Sequence, residues 1–285
     1  MKAILLAGGT GTRMRPITLG VNKHLMPVYN KPMIYYSLSV LMLCKFKEII
    51  LICDPDSKKI YKKMFSNGKH LGMKINLVVQ KKANGIPEAF LISKKYLDNK
   101  SVCLMLGDNF FYGQGFYKAL KDGINLRKGA FFLAYNVQHP ENYAVLEKKK
   151  NKILNIVEKP KNPKTNLVIP GIYFFDKNVV SYCKNLVKSE RKELEIVDLI
   201  NMYLKKNLAK FKEIGRGISW LDMGSFDDLN ECTNYIRAIE KRQNFMIGSP
   251  EEIAFLNKWI SKKKLKILAQ KYNNNYGEYL KKLCL

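Results

Sequence analysis

The sequence predicts an α/β protein: a mixed, mainly parallel sheet flanked by helices, followed by C-terminal helices. Three observations carry that reading. The first 135 residues alternate short apolar runs with longer stretches of helical spacing, the pattern of βα units on a buried sheet. A glycine-rich turn, Gly8-Gly9-Thr10-Gly11, follows the first apolar run directly. Beyond residue 224 the strand-like runs stop and capped, amphipathic segments take over.

Taken in order, strands are expected at Lys2–Leu6, Glu48–Ile52, Ile75–Val79 and Val102–Leu106. Helices are expected near Met33–Cys44, Lys58–Ser66 and Pro87–Tyr96. Right-handed crossovers would put those helices on both faces of the sheet. The middle of the chain adds strand-like runs at Phe131–Tyr135, Tyr143–Glu147, Ile153–Val157 and Gly171–Phe175. Turn-rich pieces such as Lys159-Pro160-Lys161-Asn162-Pro163 separate them, which makes this region a mixed extension of the sheet. A helix near Leu194–Lys205 and a strand near Ile218–Leu221 follow. Ser225 with Asp228 three residues on reads as a helix start, and Phe226, Leu229, Cys232, Ile236 and Ile239 trace an apolar stripe. Ser249-Pro250-Glu251-Glu252 writes a second start, with a cap, a first-position proline and an early glutamate.

Composition narrows the function classes. With 285 residues, 47% hydrophobic and 11% aromatic, the chain can bury a large core, and wholesale disorder is excluded. Its longest apolar runs, such as Ile49–Cys53 and Ala130–Tyr135, are far shorter than the roughly 20 residues of a membrane helix. No membrane partner is expected. The Met1–Leu6 run is too short for a signal peptide, so the expected compartment is the cytosol. The formal charge is +26, yet only seven of fifty cations are Arg, the residue that reads phosphates and bases bidentately. The lysines are spread along the chain, which predicts a solvated coat and no specific nucleic-acid partner. Six scattered cysteines (Cys44, Cys53, Cys103, Cys183, Cys232 and Cys284) form no CxxC pair. His24, His70 and His139 show no metal-ligand spacing.

The chemistry sits at strand ends. Three glycines in four positions let the backbone turn several N–H groups toward an anion, and Arg13 stands where a polyphosphate held there would end. No Gly-Lys-Ser/Thr follows, so this is not a Walker loop, and the dinucleotide fingerprint would need glycine where Met14 stands. Gln80 and Asp108 likewise follow expected parallel strands. Ligands of open α/β sheets bind beyond the carboxyl ends of strands, so these three motifs are expected at one edge. Gln80 with the Asn84-Gly85 turn offers hydrogen bonds suited to a pyrimidine edge. Asp108 and Asp222 each end an apolar run, where a carboxylate is costly unless a cation meets it. Two convergent Asp suit Mg²⁺ on a nucleoside triphosphate.

Gly8-Gly9-Thr10-Gly11-Thr12-Arg13, with Pro16, Thr18, Lys23, Pro27 and Lys31-Pro32-Met33-Ile34-Tyr35-Tyr36, resembles the sugar-1-phosphate nucleotidylyltransferases. The resemblance continues through Gly107-Asp108-Asn109, Glu158-Lys159-Pro160, Glu193-Leu194-Glu195-Ile196, Trp220-Leu221-Asp222, Pro250–Phe255 and Asn274-Asn275-Tyr276-Gly277, spanning essentially the whole chain. It implies a Rossmann-like fold of the nucleotide-diphospho-sugar transferase type. Residues 1–245 would form the nucleotidyltransferase domain, with a nucleotide-binding half at 1–135 and a sugar-binding half at 136–224; residues 246–285 would form a helical tail.

The implied activity is Mg²⁺-dependent thymidylyl transfer from dTTP to α-D-glucose 1-phosphate, giving dTDP-glucose for deoxysugar synthesis such as that of dTDP-rhamnose. Uridylyl or cytidylyl transfer, or an inactive polyanion-binding relative, are the alternatives. By resemblance, Arg13, Lys23, Asp108 and Lys159 carry the catalysis, and Asp108 and Asp222 hold the metal. Gly8, Gly9, Gly11, Thr12, His24, Gln80, Gly85 and Asn109 would contact the nucleotide. Glu158, with Tyr143, Ala144, Ile169, Gly171 and Tyr173, would form the sugar pocket. The resemblance also implies a homotetramer and a regulatory nucleotide-sugar site near the C-terminal helices. Four departures from the family pattern are Ala144 for the usual Gly, His24 for Gln, Met223 for Thr, and a Gln80–Glu88 loop that lacks the usual prolines and has Pro87-Glu88 for Ala-Gln.

Overall fold

In the computed structural model, which describes Met1–Leu285, strands Lys2–Ala7 and Val102–Leu106 form and pair in parallel, Lys2 opposite Val102 and Leu6 opposite Leu106. Both are nearly continuous apolar runs, and both are buried almost throughout, as strands inside a parallel sheet require. The chain divides into two units. One comprises Met1–Leu6, Gln80–Leu106 and Tyr112–Trp220; the other comprises Ala7–Val79, Gly107–Phe111 and Leu221–Leu285.

In the first unit the strands lie side by side in the order Lys152–Glu158, Ala144–Lys149, Leu167–Val168, Ala130–Asn136, Ile172–Phe175, Val102–Leu106 and Lys2–Ala7. The strand Ala209–Glu213 adds to Ala130–Asn136 in parallel. Ile172–Phe175 runs antiparallel to both of its neighbours, so the sheet is mixed, as the sequence predicts. Ala144–Lys149 and Lys152–Glu158 form a hairpin whose turn places Lys150 at φ 53°. Behind the sheet, Phe90, Phe175, Tyr203 and Tyr182 form a chain of ring contacts 4.6–5.5 Å between centroids. Phe90, Phe175 and Tyr203 are fully buried, and each contributes about 1.5–3 kcal/mol by leaving water, whereas Tyr182 is half-buried.

In the second unit, Glu48–Cys53 and Lys74–Val79 pair in parallel, accompanied by helices Met33–Leu43 and Lys58–Phe65. The C-terminal helices are Phe226–Gln243, Pro250–Leu256, Lys262–Ala269 and Asn275–Lys282. The capping box forms as written: the Ser225 hydroxyl accepts from Asp228 N–H, and the Asp228 carboxylate accepts from Ser225 N–H. Ser249 likewise caps the helix that begins at Pro250.

Several expectations are corrected. The stripe of Phe226–Gln243 buries Leu229, Cys232, Ile236 and Glu240, whereas Phe226 is 40% exposed and Ile239 is half-buried. The single helix expected at Pro87–Tyr96 is two, Glu88–Ile92 and Lys94–Leu97, broken at Ser93. The lysine coat has an exception at Lys31, which is buried and bonded to Glu240 at 2.9 Å. Glu240 also accepts from the Asn30 amide and from Ile247 N–H, so this charge is fully partnered. Burial lowers the Lys31 ammonium pKa, and Glu240 opposes that shift. All six cysteines are buried and free, consistent with small core hydrophobes.

Candidate functional site

The glycine turn leaves the strand Lys2–Ala7 and reverses sharply, with Gly9 at φ 118° and Gly11 at φ 56°. At Gly11 a β-carbon would lie 2.9 Å from the Thr18 methyl, so the turn requires glycine there. Thr18 Oγ1 donates to the Gly11 carbonyl at 2.7 Å, and Met14 N–H donates to the same oxygen, which tightens Thr12–Met14 into a 3₁₀ turn. That turn carries Arg13. A β-carbon added at Gly224 would meet both Arg13 Nη1, at 3.2 Å, and Asp222 Oδ2, at 3.0 Å, so the guanidinium and the carboxylate flank one small residue.

Lys23 opens a second 3₁₀ turn, Lys23–Leu25, capped by the Asn22 side chain. Its ammonium donates to Asp108 Oδ2 at 2.7 Å. Asp108 stands two residues beyond the strand Val102–Leu106. The Asn109 amide donates to Asp108 Oδ1 at 3.0 Å and to Asp222 Oδ1 at 3.3 Å, while Met223 N–H donates to the Asp108 carbonyl at 3.0 Å. One amide therefore gathers two carboxylates. Burial alone would raise the Asp108 pKa, but the Lys23 charge with the Lys23 and Asn109 hydrogen bonds holds it well below the usual carboxylate range. Asp222 moves the other way: burial and the Asp108 charge push its carboxyl up, against Lys23 and Arg13. His24 is buried, which lowers its pKa to about 4, and its ring Nδ1 sits 3.1 Å from Asn22 Oδ1. It is thus a neutral polar group at pH 7, as the glutamine usual in the family would be.

Sequence reasoning missed Asn22 and Asp54. The Asp54 carboxylate accepts from the Asn22 amide, from Ser57 N–H and from the Ser57 hydroxyl, hydrogen bonds that outweigh its burial and lower its pKa. Asp54 follows the strand Glu48–Cys53, a position equivalent to that of Asp108, and that placement was the available signal. A cavity of about 340 Å³ lies here, lined by Gly9, Thr10, Asn22, Lys23, Asp54 and Ser57 among others.

The remaining candidates belong to the other unit. Gln80 is 7% exposed, and its Nε2 donates to Glu88 Oε2 at 2.6 Å. Gly85, at φ 97°, approaches Leu194 so closely that a β-carbon would lie 2.0 Å from the Leu194 carbonyl oxygen. Sheet register brings Ala144 opposite Glu158. Ile169 N–H donates to the Ala144 carbonyl at 2.9 Å, and Lys159 N–H donates to the Tyr143 carbonyl at 3.0 Å. Gly171 accepts from Leu106 N–H, and Tyr173 stands between Leu104 and Phe132 in the sheet. Burial raises the Glu158 pKa, opposed by Lys159 and Arg191, the latter with Nη2 3.5 Å from its carboxylate. Arg191, also missed in the sequence, pairs with Glu195 at 2.7 Å and so ties the Glu158 end to the Glu193–Ile196 segment. The structure thus clusters Arg13, Lys23, His24, Asp108, Asn109 and Asp222 with the glycine turn in one unit. It places Gln80, Gly85, Ala144, Glu158, Lys159, Ile169, Gly171 and Tyr173 in the other.

The model of the nucleotidyl transferase family matches residues 2–238. A Neisseria meningitidis glucose-1-phosphate thymidylyltransferase is 43% identical over 285 residues, covering 99% of each chain. A Mycobacterium tuberculosis protein of the same name is 39% identical, again over 99% of each. Among solved structures, a 36% identical Bacillus anthracis chain crystallised with sucrose has a TM-score of 0.77, covering 83% of this chain and 95% of that one. A UDP-glucose pyrophosphorylase bound to UDP-glucose, at 19% identity and TM-score 0.71, shares the fold.

Proposed function

The chain belongs to the nucleotidyl transferase family, and on that premise we propose that it transfers a thymidylyl group from dTTP to glucose 1-phosphate, giving dTDP-glucose and pyrophosphate. The observation that carries this reading is the cluster of Lys23, Asp108, Asn109 and Asp222 in the unit that also holds the glycine turn and Arg13.

The attacking group is a sugar-phosphate oxygen that is already anionic, so no strong general base is needed. Alignment and neutralisation of charge at the α-phosphorus do the work. The N–H groups of Gly8, Gly9, Gly11 and Thr12, with Arg13, hold the triphosphate and the departing pyrophosphate. Lys23, fixed by Asp108, meets negative charge near the α-phosphate. Lys159 steers the attacking phosphate, and Glu158 takes sugar hydroxyls within a pocket shaped by Tyr143, Ala144, Ile169, Gly171 and Tyr173. Gln80 and Gly85 read the base, with His24 and Asn109 as neutral polar contacts.

The donor set fits a divalent cation. Two carboxylates share one Asn109 amide, and burial first, then the Asp108 charge, pushes the Asp222 carboxyl up; a cation between the two would relieve their repulsion. No third His, Cys, Asp or Glu joins them, which suits Mg²⁺, an ion that takes one or two carboxylates and completes its shell with phosphate oxygens and water. Asp108 and Asp222 would hold it, and the bound ion would supply neutralisation of the phosphate charge. A homotetramer, with a regulatory nucleotide-sugar site among the C-terminal helices, completes the proposal, as does placement at the entry to a deoxysugar route. No helix is long and apolar enough to cross a membrane.

The test offers purified protein dTTP, UTP, CTP or ATP with glucose 1-phosphate and Mg²⁺ and follows pyrophosphate. Release with dTTP is expected, and release with none of the four overturns the reading.

A further inference from the structure

Glu88 stands where the family pattern has glutamine, and the structure gives it a definite task. It is the first residue of the helix Glu88–Ile92, and its carboxylate receives two side-chain amides: Gln80 Nε2 on Oε2 and Asn84 Nδ2 on Oε1, both at 2.6 Å. An ionised carboxylate can only accept hydrogen bonds. Turning the Gln80 amide over would put oxygen against oxygen at that short distance, so the NH₂ must face Glu88. Asn84 agrees independently, because its Oδ1 accepts from Lys188 Nζ at 3.1 Å while its nitrogen faces Glu88. With its nitrogen engaged, Gln80 keeps a carbonyl oxygen that accepts no hydrogen bond from the protein.

We propose that Glu88 is a positioning residue that locks Gln80 as a hydrogen-bond acceptor and thereby selects pyrimidines carrying a ring N3–H, thymine and uracil, over cytosine. The selection rests on the reading of Gln80 as a base contact given above. Thymine and uracil present an imide N3–H donor, which pairs with the Gln80 oxygen. Cytosine presents a bare N3 lone pair at the same position, and two acceptors then face each other without a proton between them. A free glutamine amide would serve both bases by rotating through 180°, and the carboxylate removes that freedom. A site built around a polar contact rejects the analogue that leaves its own group unpaired.

Steady-state kinetics of the full-length protein with dTTP, dUTP and dCTP test the proposal. For Glu88→Gln, whose amide can face Gln80 with either end, the ratio of kcat/KM for dTTP to that for dCTP should fall about tenfold or more. The fall should come through a higher KM for dTTP, with kcat within about threefold of the parent. Exchanging the pair, Gln80→Glu with Glu88→Gln, restores an acceptor-only group held by an amide and should recover the ratio. This second variant decides the matter if the single one does not fold. An unchanged ratio in an active Glu88→Gln enzyme, an equal loss with both nucleotides, or an exchanged pair no more selective than the single variant overturns the assignment to Glu88 alone. A parent protein inactive with every triphosphate overturns instead the transferase reading on which it rests.

Discussion

Asp108→Asn isolates the charge that organises the candidate site. The substitution keeps shape and one acceptor oxygen but removes the anion 2.7 Å from Lys23 Nζ. At an effective dielectric near 20, two unit charges at that distance attract by about 6 kcal/mol before desolvation is counted. The Lys23 side chain is 9% exposed and that of Asp108 21%, so most of that gross attraction is offset by taking the charges out of water. A net cost of about 1.5–3 kcal/mol remains for a charge-assisted hydrogen bond. Relief of repulsion between Asp108 and Asp222, which adds to burial in pushing the Asp222 carboxyl up, returns part of it. We therefore expect a folded variant, less stable by about 1–2 kcal/mol in urea titrations. Its kcat/KM should fall about 10²–10³-fold or more, because the proposed metal ligand and the anchor of Lys23 are both gone. Activity within a few-fold of the parent, in a variant shown to be folded, would refute the reasoning.

Other consequences follow from the packing. Lys31→Met leaves Glu240 charged with its side chain 6% exposed, and unfolding in urea should show a loss of about 3–5 kcal/mol. Gly85→Ala forces a β-carbon 2.0 Å from the Leu194 carbonyl oxygen at φ 97°; we expect a stability loss of about 1–3 kcal/mol or more and a raised KM for dTTP, both measurable on one preparation. Tyr272 and Tyr276 donate to Glu251, and burial first, then the Glu251 charge, raises the pKa of each phenol. Unfolded tyrosines ionise near pH 10 while these stay protonated, so the native state binds more protons above that pH and stability falls as pH rises. Thermal melts between pH 8 and 11 should show the decline setting in near pH 10, and a flat profile would contradict it.

The parallel strands were legible because a strand buried on both faces must be a continuous apolar run, as Ile49–Cys53 is within Glu48–Cys53. The helix starts at Ser225 and Ser249 were legible because capping is local chemistry. What the sequence hid depends on distant partners. Ala209–Glu213 alternates charged and apolar residues without a strong strand signature and is held by its parallel pairing to Ala130–Asn136. Nothing local marks Lys31 as buried; Glu240, more than two hundred residues away, meets it. In the site, the glycine turn and the acids at strand ends follow from where ligands bind on α/β sheets. The coupling of Asp108 to Asp222 through Asn109, and of Gln80 to Asn84 through Glu88, needed the folded loops.

The proposed chemistry lies at the α-phosphorus, and following that atom tests it most directly. With dTTP labelled at the α-phosphate, glucose 1-phosphate and Mg²⁺, the label should appear in dTDP-glucose while unlabelled pyrophosphate is released. Label recovered as free phosphate, as dTDP or only as unreacted dTTP would contradict it.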